Sequence, residues 1–415
     1  MERTYESAEA LVGRAVGPLT SHFGAFVSSL IAQKFTASVV YVKAQHALAF
    51  DGWLAKHNVV LADLGDVHIE CYQCRRRRRH QRIQAETRRR ERNHITQLLQ
   101  YLRDGGACPA ARIEITAADD LAAGYEWHLQ AQQGLAATTI KRYRTIARRF
   151  LHERFGCGAV DLRTLSAGDM IAFMQRRANC LQPPALKCVA TAMRSFLRYA
   201  QYRSEVASAL AAAVPTVAAW TTTPAVPKAI SPEHAQRAID CCDLNTAVGL
   251  RDCAVLLLLA RLGLRGHEVI ALHLENCDWD NGHLRLRSKM RREQLLPMPT
   301  DVGSAIAAYL RRGRPTSKNR HLFLLSRAPI RGLRQGAIGT IVRYALQRAQ
   351  VDAPHRGSHQ FRHALAVRML QGGASLREIG EVLRHQSPQS TSIYARVDID
   401  ALRSLAMSWP IGGAR

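Results

Sequence analysis

Residues 358–370 read SHQFRHALAVRML, with His359 and Arg362 three apart where a helix should begin and His363 directly behind them. About thirty residues on stands a lone tyrosine, Tyr394, in STSIYARVD. Imidazole, guanidinium and phenol in this order suit a site that holds a phosphodiester and attacks it with a tyrosine. Metal-free cleavage requires a grip on the non-bridging oxygens as charge builds in the pentacoordinate transition state, and forked, permanently charged guanidinium groups provide it. Arg265, in GLRGHE, and Arg362 are the candidates. Tyr394 as nucleophile would form a phosphotyrosine, an ester that keeps the energy of the broken bond. The leaving 5′-hydroxyl needs a proton from a positioned acid, and Lys289 is the lysine of the hairpin sequence RLRSKMRREQ. His359 is placed to relay the tyrosine proton, and His385 to hydrogen-bond a phosphate oxygen. Glu268, three residues after Arg265, falls on the same helix face and can orient an arginine or a histidine.

Each residue alone has a plainer reading. A lone HxxR pair is ordinarily a surface feature, Arg265 a helix-cap charge, and His385 a partner for the carbonyls of a helix end. Tyr394 alone reads as a half-buried packing residue, and Lys289 among arginines as strand-edge charge. Their order and spacing together point to the chemistry.

The elements that must position them follow from local signals. Residues 256–274, LLLLARLGLRGHEVIALHL, read as helix, turn at Gly263, helix. Residues 277–299 alternate apolar and polar positions around an Asp-Asn-Gly turn, which predicts a small antiparallel sheet of about three strands. Ser375 and Glu378 stand in capping-box register before a helix whose apolar stripe is Leu376, Ile379 and Leu383. CAVLLLLA, Cys253–Ala260, is too short to span a bilayer and reads as a buried helix.

Upstream, the proline- and threonine-rich segment 211–236 reads as an extended linker, after which Ser231, Pro232 and Glu233 form an N-cap, N1 and first-turn acid. Before it lies a weak repeat. FTASVVYVKAQHALAFDGWL (35–54) parallels LAATTIKRYRTIARRFLHER (135–154), with helical stripes ending at Phe50 and Phe150, and each is followed by a similar phrase and a long basic helix. Two all-α bundles result, roughly 15–110 and 115–210; chance similarity between helical hairpins is the plainer alternative.

The chain of 415 residues carries a formal charge of +25 with 47% apolar residues. That is enough for ordinary cores in two or three domains, and the excess of cations calls for a polyanionic partner, nucleic acid before an anionic membrane surface. The densest charge is RRRRRHQRIQAETRRRERNH, 75–94, which reads either as a solvated helix face or as a phosphate-contacting element. We take Arg75, Arg76, Arg77, Arg78, Arg79, Arg88, Arg89 and Arg90 as DNA contacts, together with Lys141, Arg142 and Arg144 of the second bundle. RNA binding by the same run would show as binding without cleavage. Ten cysteines are scattered without disulfide-like regularity, and CYQC (Cys71 to Cys74) has metal-ligand spacing but no second pair, so no metal site is assigned. The opening MERTYESAEA has no signal-peptide apolar stretch, which leads to a cytoplasmic expectation.

Residues about 229–410 resemble the catalytic domain of the tyrosine recombinases, the phage-integrase family. The matching phrases are ARLGLRGHEVIALHLENCDW, LRSKMRREQLLPMP and HQFRHALAVRMLQGGASLREIGEVLRHQSPQSTSIYARV. The resemblance implies Arg265 with the acidic Glu268, then Lys289, then His359, Arg362, His385 and the nucleophile Tyr394, with His363 in support. The hairpin departs from the family's usual Gly-Lys-Gly and reads Ser-Lys-Met. Residues about 115–205 resemble the family's helical core-binding domain. The resemblance implies a mainly α fold with a small antiparallel sheet in the catalytic domain, all-α bundles before it, and a C-shaped clamp on DNA. The expected domains are a helical module at 1–112, possibly a duplicated core-binding unit, the core-binding domain at 113–210, a linker at 211–228 and the catalytic domain at 229–415. Activity would proceed one strand at a time through a 3′-phosphotyrosyl intermediate and a Holliday junction within a homo-tetramer on double-stranded DNA. It would need no cofactor and no membrane, would serve a mobile element, and would admit partner recombinases. The tail 398–410 would dock on a neighbouring protomer. The alternatives are a non-catalytic DNA-binding relative and an enzyme like the type IB topoisomerases.

Overall fold

The computed structural model describes residues 4–79, 85–110, 116–156, 158–206, 210–217, 230–287, 293–353, 355, 357–385 and 387–396, the side chains of 75–79, 85, 287, 335 and 396 excepted. The chain divides into two compact units, one of residues 1–111 with 224–415 and one of 112–223.

The first helices are α1 (Tyr5–Glu9), α2 (Thr20–Ala32), α3 (Ala37–Lys56), α4 (Asp66–Arg79) and α5 (Ala85–Asp104). Phe23, Phe26, Phe50, Leu54 and Leu99 fill their shared core. Asp51, buried on α3, accepts the backbone N–H groups of Val16, Gly17 and Leu19, which no helix would otherwise satisfy. Cys71 and Cys74 are exposed on α4.

The unit 112–223 holds α6 (Ala117–Ala131), α7 (Ala137–Phe155), α8 (Ala167–Ala178) and α9 (Pro183–Tyr202). Thr116 with Asp119 and Ser166 with Asp169 form capping boxes that fix where α6 and α8 start. The repeat seen in sequence is an order of elements. Helices of 13, 20, 14 and 20 residues (α2–α5) match in order helices of 15, 19, 12 and 20 (α6–α9). Each set has a 3-10 turn between its second and third helices, Leu61–Asp63 and Leu162–Thr164. Phe50 and Phe150 are both buried at the matched positions.

Beyond the linker run α10 (Pro232–Asp240), α11 (Ala247–Arg261), α12 (Gly266–Ala271), β1 (Cys277–Asp278), β2 (His283–Arg287), β3 (Glu293–Pro297), α13 (Thr300–Ala308), α14 (Gln335–Arg348), α15 (His359–Gln371) and α16 (Leu376–Val382). Ser231 caps α10 with Pro232 in its first turn, as expected. The strands form one antiparallel sheet in the order β1-β2-β3, with Leu284 opposite Leu296 and Leu286 opposite Gln294. Leu284 and Leu286 point into the core while Arg285 between them is exposed, the alternation of a half-buried strand.

The core of this region is built around α11, buried from Gly249 to Ala260. Within it lie two charges. Arg251 donates through Nε and Nη2 to Asp252 at 3.0 and 2.8 Å, and through Nη1 to the Leu324 carbonyl and the Ser326 hydroxyl. Burial pushes the Asp252 carboxyl up while Arg251 opposes the shift. Asp252→Ala would strand the guanidinium in the interior, and breaking a buried pair this way costs about 3–5 kcal/mol. Urea unfolding should show that loss, and a change under about 1 kcal/mol would mean that water reaches Arg251.

Among the described residues no helix is long and apolar enough to cross a membrane.

Candidate active site

Two turns and one helix build the site. The first turn joins α11 to α12 at Gly263, whose φ of +56° is the left-handed region that glycine tolerates. A side chain there would also meet Leu383 at 2.7 Å and Leu365 at 3.1 Å. The turn delivers Arg265 as the N-cap residue of α12. Glu268, at the third position of the helix, accepts the Arg265 backbone N–H at 2.7 Å and its Nη1 at 3.0 Å. The second turn follows α16, which starts at the Ser375–Glu378 capping box. It carries Leu383, Arg384 and His385 before a 3-10 turn, Ser392–Arg396, that presents Tyr394.

Helix α15 runs between these turns. Phe361 and Ala364 face the main core, whereas Leu365 and Ala366 join Ile379, Leu383 and Tyr394 in a small separate cluster. Arg362 is buried, with 3% exposure, and spans both turns: Nη1 donates to the Gly263 carbonyl and Nη2 to the Leu383 carbonyl. Lost hydration, with the charges of Arg265 and Arg384 nearby, pushes the Arg362 guanidinium down to about 10, so it stays charged at neutral pH. Three guanidinium groups therefore crowd one carboxylate, an arrangement that favours an incoming anion.

The Tyr394 hydroxyl lies 2.7 Å from His363 Nδ1. The expectation gave the tyrosine proton to His359, whereas the histidine in contact with the phenol is His363. His359 and His363 are one helical turn apart, their ring centroids 6.3 Å from each other, and the returning 3-10 turn meets the second of them. His359 stands exposed at the start of α15. Burial pushes the Tyr394 phenol up to about 12, with Arg362 opposing. His363 is lowered by burial and by the charges of His359 and Arg362. His359 is lowered by desolvation, then by Arg362 and Arg265.

His385 shares a hydrogen bond of 2.7 Å between Nδ1 and the Thr391 hydroxyl, and its ring lies parallel to that of Tyr394 with centroids 6.4 Å apart. Desolvation, followed by Arg362 and Arg265, pushes this imidazole down to about 4, so it is neutral at physiological pH.

Arg265, Glu268, Arg362, His363, His385 and Tyr394 are thus brought together, with His359 at the edge. Lys289 and the hairpin tip 288–292 lie outside the described residues, as do the side chains of Arg75, Arg76, Arg77, Arg78 and Arg79 and the tail 398–410. On α5, Arg89 and Arg90 are exposed and Arg88 half-buried. On α7, Lys141 and Arg142 are exposed, whereas Arg144 is paired with Glu126 at 3.0 Å, an α6 contact not visible in sequence. Sequence reasoning missed Thr391, which orients His385, and Arg384. Nothing in the sequence marks Thr391 among its neighbouring serines, and Arg384 is conspicuous through its burial and its contact with Glu268.

The model of the Phage integrase family matches residues 228–400. Over 399 residues the chain is 41% identical to "Putative integrase/recombinase y4rA" of Sinorhizobium fredii, covering 95% of both chains. It is 30% identical over 296 residues to "Tyrosine recombinase XerD" of Mycobacterium tuberculosis, covering 68% of this chain and 94% of that one. Among solved structures, the XerH site-specific recombinase in its post-cleavage complex with palindromic difH substrate aligns with a TM-score of 0.53 at 17% identity, over 68% of this chain and 83% of that chain. That likeness is one of fold.

Proposed function

This chain belongs to the phage integrase family of tyrosine recombinases, and we propose that Arg265, Arg362, His385 and Tyr394 cleave and rejoin double-stranded DNA at a specific site. The observation that carries the reading is the meeting of the Tyr394 hydroxyl, held by His363, with a helix whose Arg362 ties the Arg265 turn to the His385 turn. Arg265 and Arg362 grip the non-bridging oxygens of the scissile phosphate, and neutral His385 hydrogen-bonds one of them. Tyr394 Oη attacks phosphorus, and its proton passes to His363 in the tautomer with Nδ1 free. The bond from phosphorus to the 5′-oxygen breaks, and that oxygen takes a proton from an acid, the role assigned to Lys289. The products are a 3′-phosphotyrosine and a free 5′-hydroxyl, and the reverse attack by a hydroxyl of another strand completes exchange.

The exposed arginines of α5 and the exposed Lys141 and Arg142 of α7 would add phosphate contacts that give affinity without sequence reading. The matched order of α2–α5 and α6–α9 supports a duplicated DNA-binding module, with 1–112 and 113–210 as its copies and 229–415 as the catalytic domain. Action within a homo-tetramer, with or without partner recombinases and in the service of a mobile element, is the finer form of the same proposal.

The protonation states give a pH profile. Tyr394, raised to about 12, is protonated at neutral pH and needs a base. His363 accepts a proton only when neutral, and its lowered pKa keeps it neutral down to below the usual imidazole range. Cleavage should therefore be flat above about pH 6.5, the ordinary histidine value, and fall as pH drops through the lowered one. Burial also lowers His359 and His385, so His363→Gln is the control: it should slow cleavage and remove the limb. A limb that persists in His363→Gln would move the base role to another histidine.

The proposal is tested by strand transfer. A nicked suicide duplex should trap the protein covalently, and a second duplex with a free 5′-hydroxyl should then receive the strand. Relaxation of supercoils without transfer between duplexes would favour the topoisomerase reading, and binding without any adduct would leave a DNA-binding relative.

A further inference from the structure

Arg384 is held at three costs, of which only the first belongs to the end of α16, where the His385 N–H reaches back to the Gly380 carbonyl. Its φ is +55°, a region that residues with a Cβ rarely adopt. Its side chain is only 7% exposed, so a charge has been taken out of water. Its buried Nε meets no hydrogen-bond partner among the described residues. The buried charge and the unpartnered Nε are what the helix end does not account for.

The contacts of the guanidinium define the role. Nη2 donates to Glu268 Oε2 at 3.0 Å, the same oxygen that accepts the Arg265 backbone N–H. Nη1 reaches the carbonyls of Leu262 at 3.4 Å and Val382 at 3.3 Å. Arg362 spans the adjacent carbonyls, Gly263 and Leu383. Two arginines thus strap the same pair of turns side by side. The backbone of Arg384 takes part as well, because its carbonyl accepts from Arg265 Nη2 at 3.2 Å. The charges are also instructive: Arg265, Arg362 and Arg384 against Glu268 leave a net of +2, and without Arg384 the net is +1. A phosphodiester carries one negative charge in its ground state and about two in a pentacoordinate transition state.

Resting on the recombinase reading above, we propose that Arg384 is a positioning residue of the phosphate cradle, which holds Glu268 so that its carboxylate orients Arg265 without neutralising it. Glu268 then serves as the hinge pin between two guanidinium groups, and the cradle keeps the charge that the transition state needs.

Arg384→Gly separates this role from a structural one, because glycine suits the positive φ and the variant should fold. Arg384→Asn, neutral and tolerant of the same backbone region, is the second variant should the first be unstable. Single-turnover adduct formation is measured on a suicide duplex with a normal scissile phosphate and on one with a neutral methylphosphonate there. On the phosphate, either variant should be slower than wild type by about 10- to 100-fold, the usual range for losing a group that orients an active-site ligand. On the methylphosphonate, which needs one positive charge fewer, the defect should shrink to about threefold or less. Equal defects on both substrates would mean that Arg384 only supports the fold, and wild-type rates on both would mean that it does nothing to the cradle; either overturns the inference. A wild-type protein that forms no adduct on the phosphate duplex would instead bring down the recombinase reading itself.

Discussion

Tyr394→Phe should bind its DNA site like the wild type and form no covalent adduct, a loss of at least about 10⁴-fold in strand cleavage. The ring stays, so the cluster of Leu365, Ala366, Ile379 and Leu383 keeps its packing. The change removes only the hydroxyl and its 2.7 Å contact with His363. That contact accounts for little stability, since a hydrogen bond contributes about 1 kcal/mol net. Thermal unfolding should therefore move by a few degrees at most while cleavage disappears. Residual adduct in Tyr394→Phe at more than about a hundredth of the wild-type rate would mean that another residue attacks phosphorus.

Arg362→Lys should cost cleavage about 10²- to 10³-fold, the range for removing one pre-organised donor at a developing oxyanion. The positive charge is retained, so any loss reports geometry. Lysine has one nitrogen where arginine has a fork, and it cannot reach the Gly263 and Leu383 carbonyls together while also facing a phosphate. The turn carrying Arg265 and the turn carrying His385 would each lose a strap. DNA binding at moderate salt should change little, because one phosphate contact among many is altered. Near-wild-type cleavage by Arg362→Lys would show that charge alone suffices and that the bridging role is incidental.

Much of this site was legible in the sequence. The turn at Gly263, the buried helix through Leu256–Leu259, the hairpin signal at Asp280-Asn281-Gly282 and the capping box at Ser375–Glu378 are short-range devices, and each stands where the residues place it. The set Arg265, Glu268, Arg362, His385 and Tyr394 was legible for a different reason: the chemistry admits few residue types, and their order along the chain is distinctive. Tertiary closeness was not legible. His359 and His363 share one face of α15, and only the return path of the chain after Pro388 decides that His363 meets the phenol. Arg144 reads as free positive charge until α6 brings Glu126 beside it. Arg384 draws no attention in the sequence, and its contact with Glu268, more than a hundred residues earlier, is made from the left-handed residue that ends α16.

The most direct test is to locate the covalent bond. Wild-type protein trapped on a nicked suicide duplex is digested with nuclease and trypsin, and the modified peptide is sequenced by mass spectrometry. Cleavage after Arg384 and Arg396 releases HQSPQSTSIYAR, in which Tyr394 is the sole tyrosine. A nucleotide attached to Tyr394 of that peptide is the expected result. Attachment at another residue, or strand cleavage with no protein-linked nucleotide, would contradict the assignment of Tyr394 as the nucleophile.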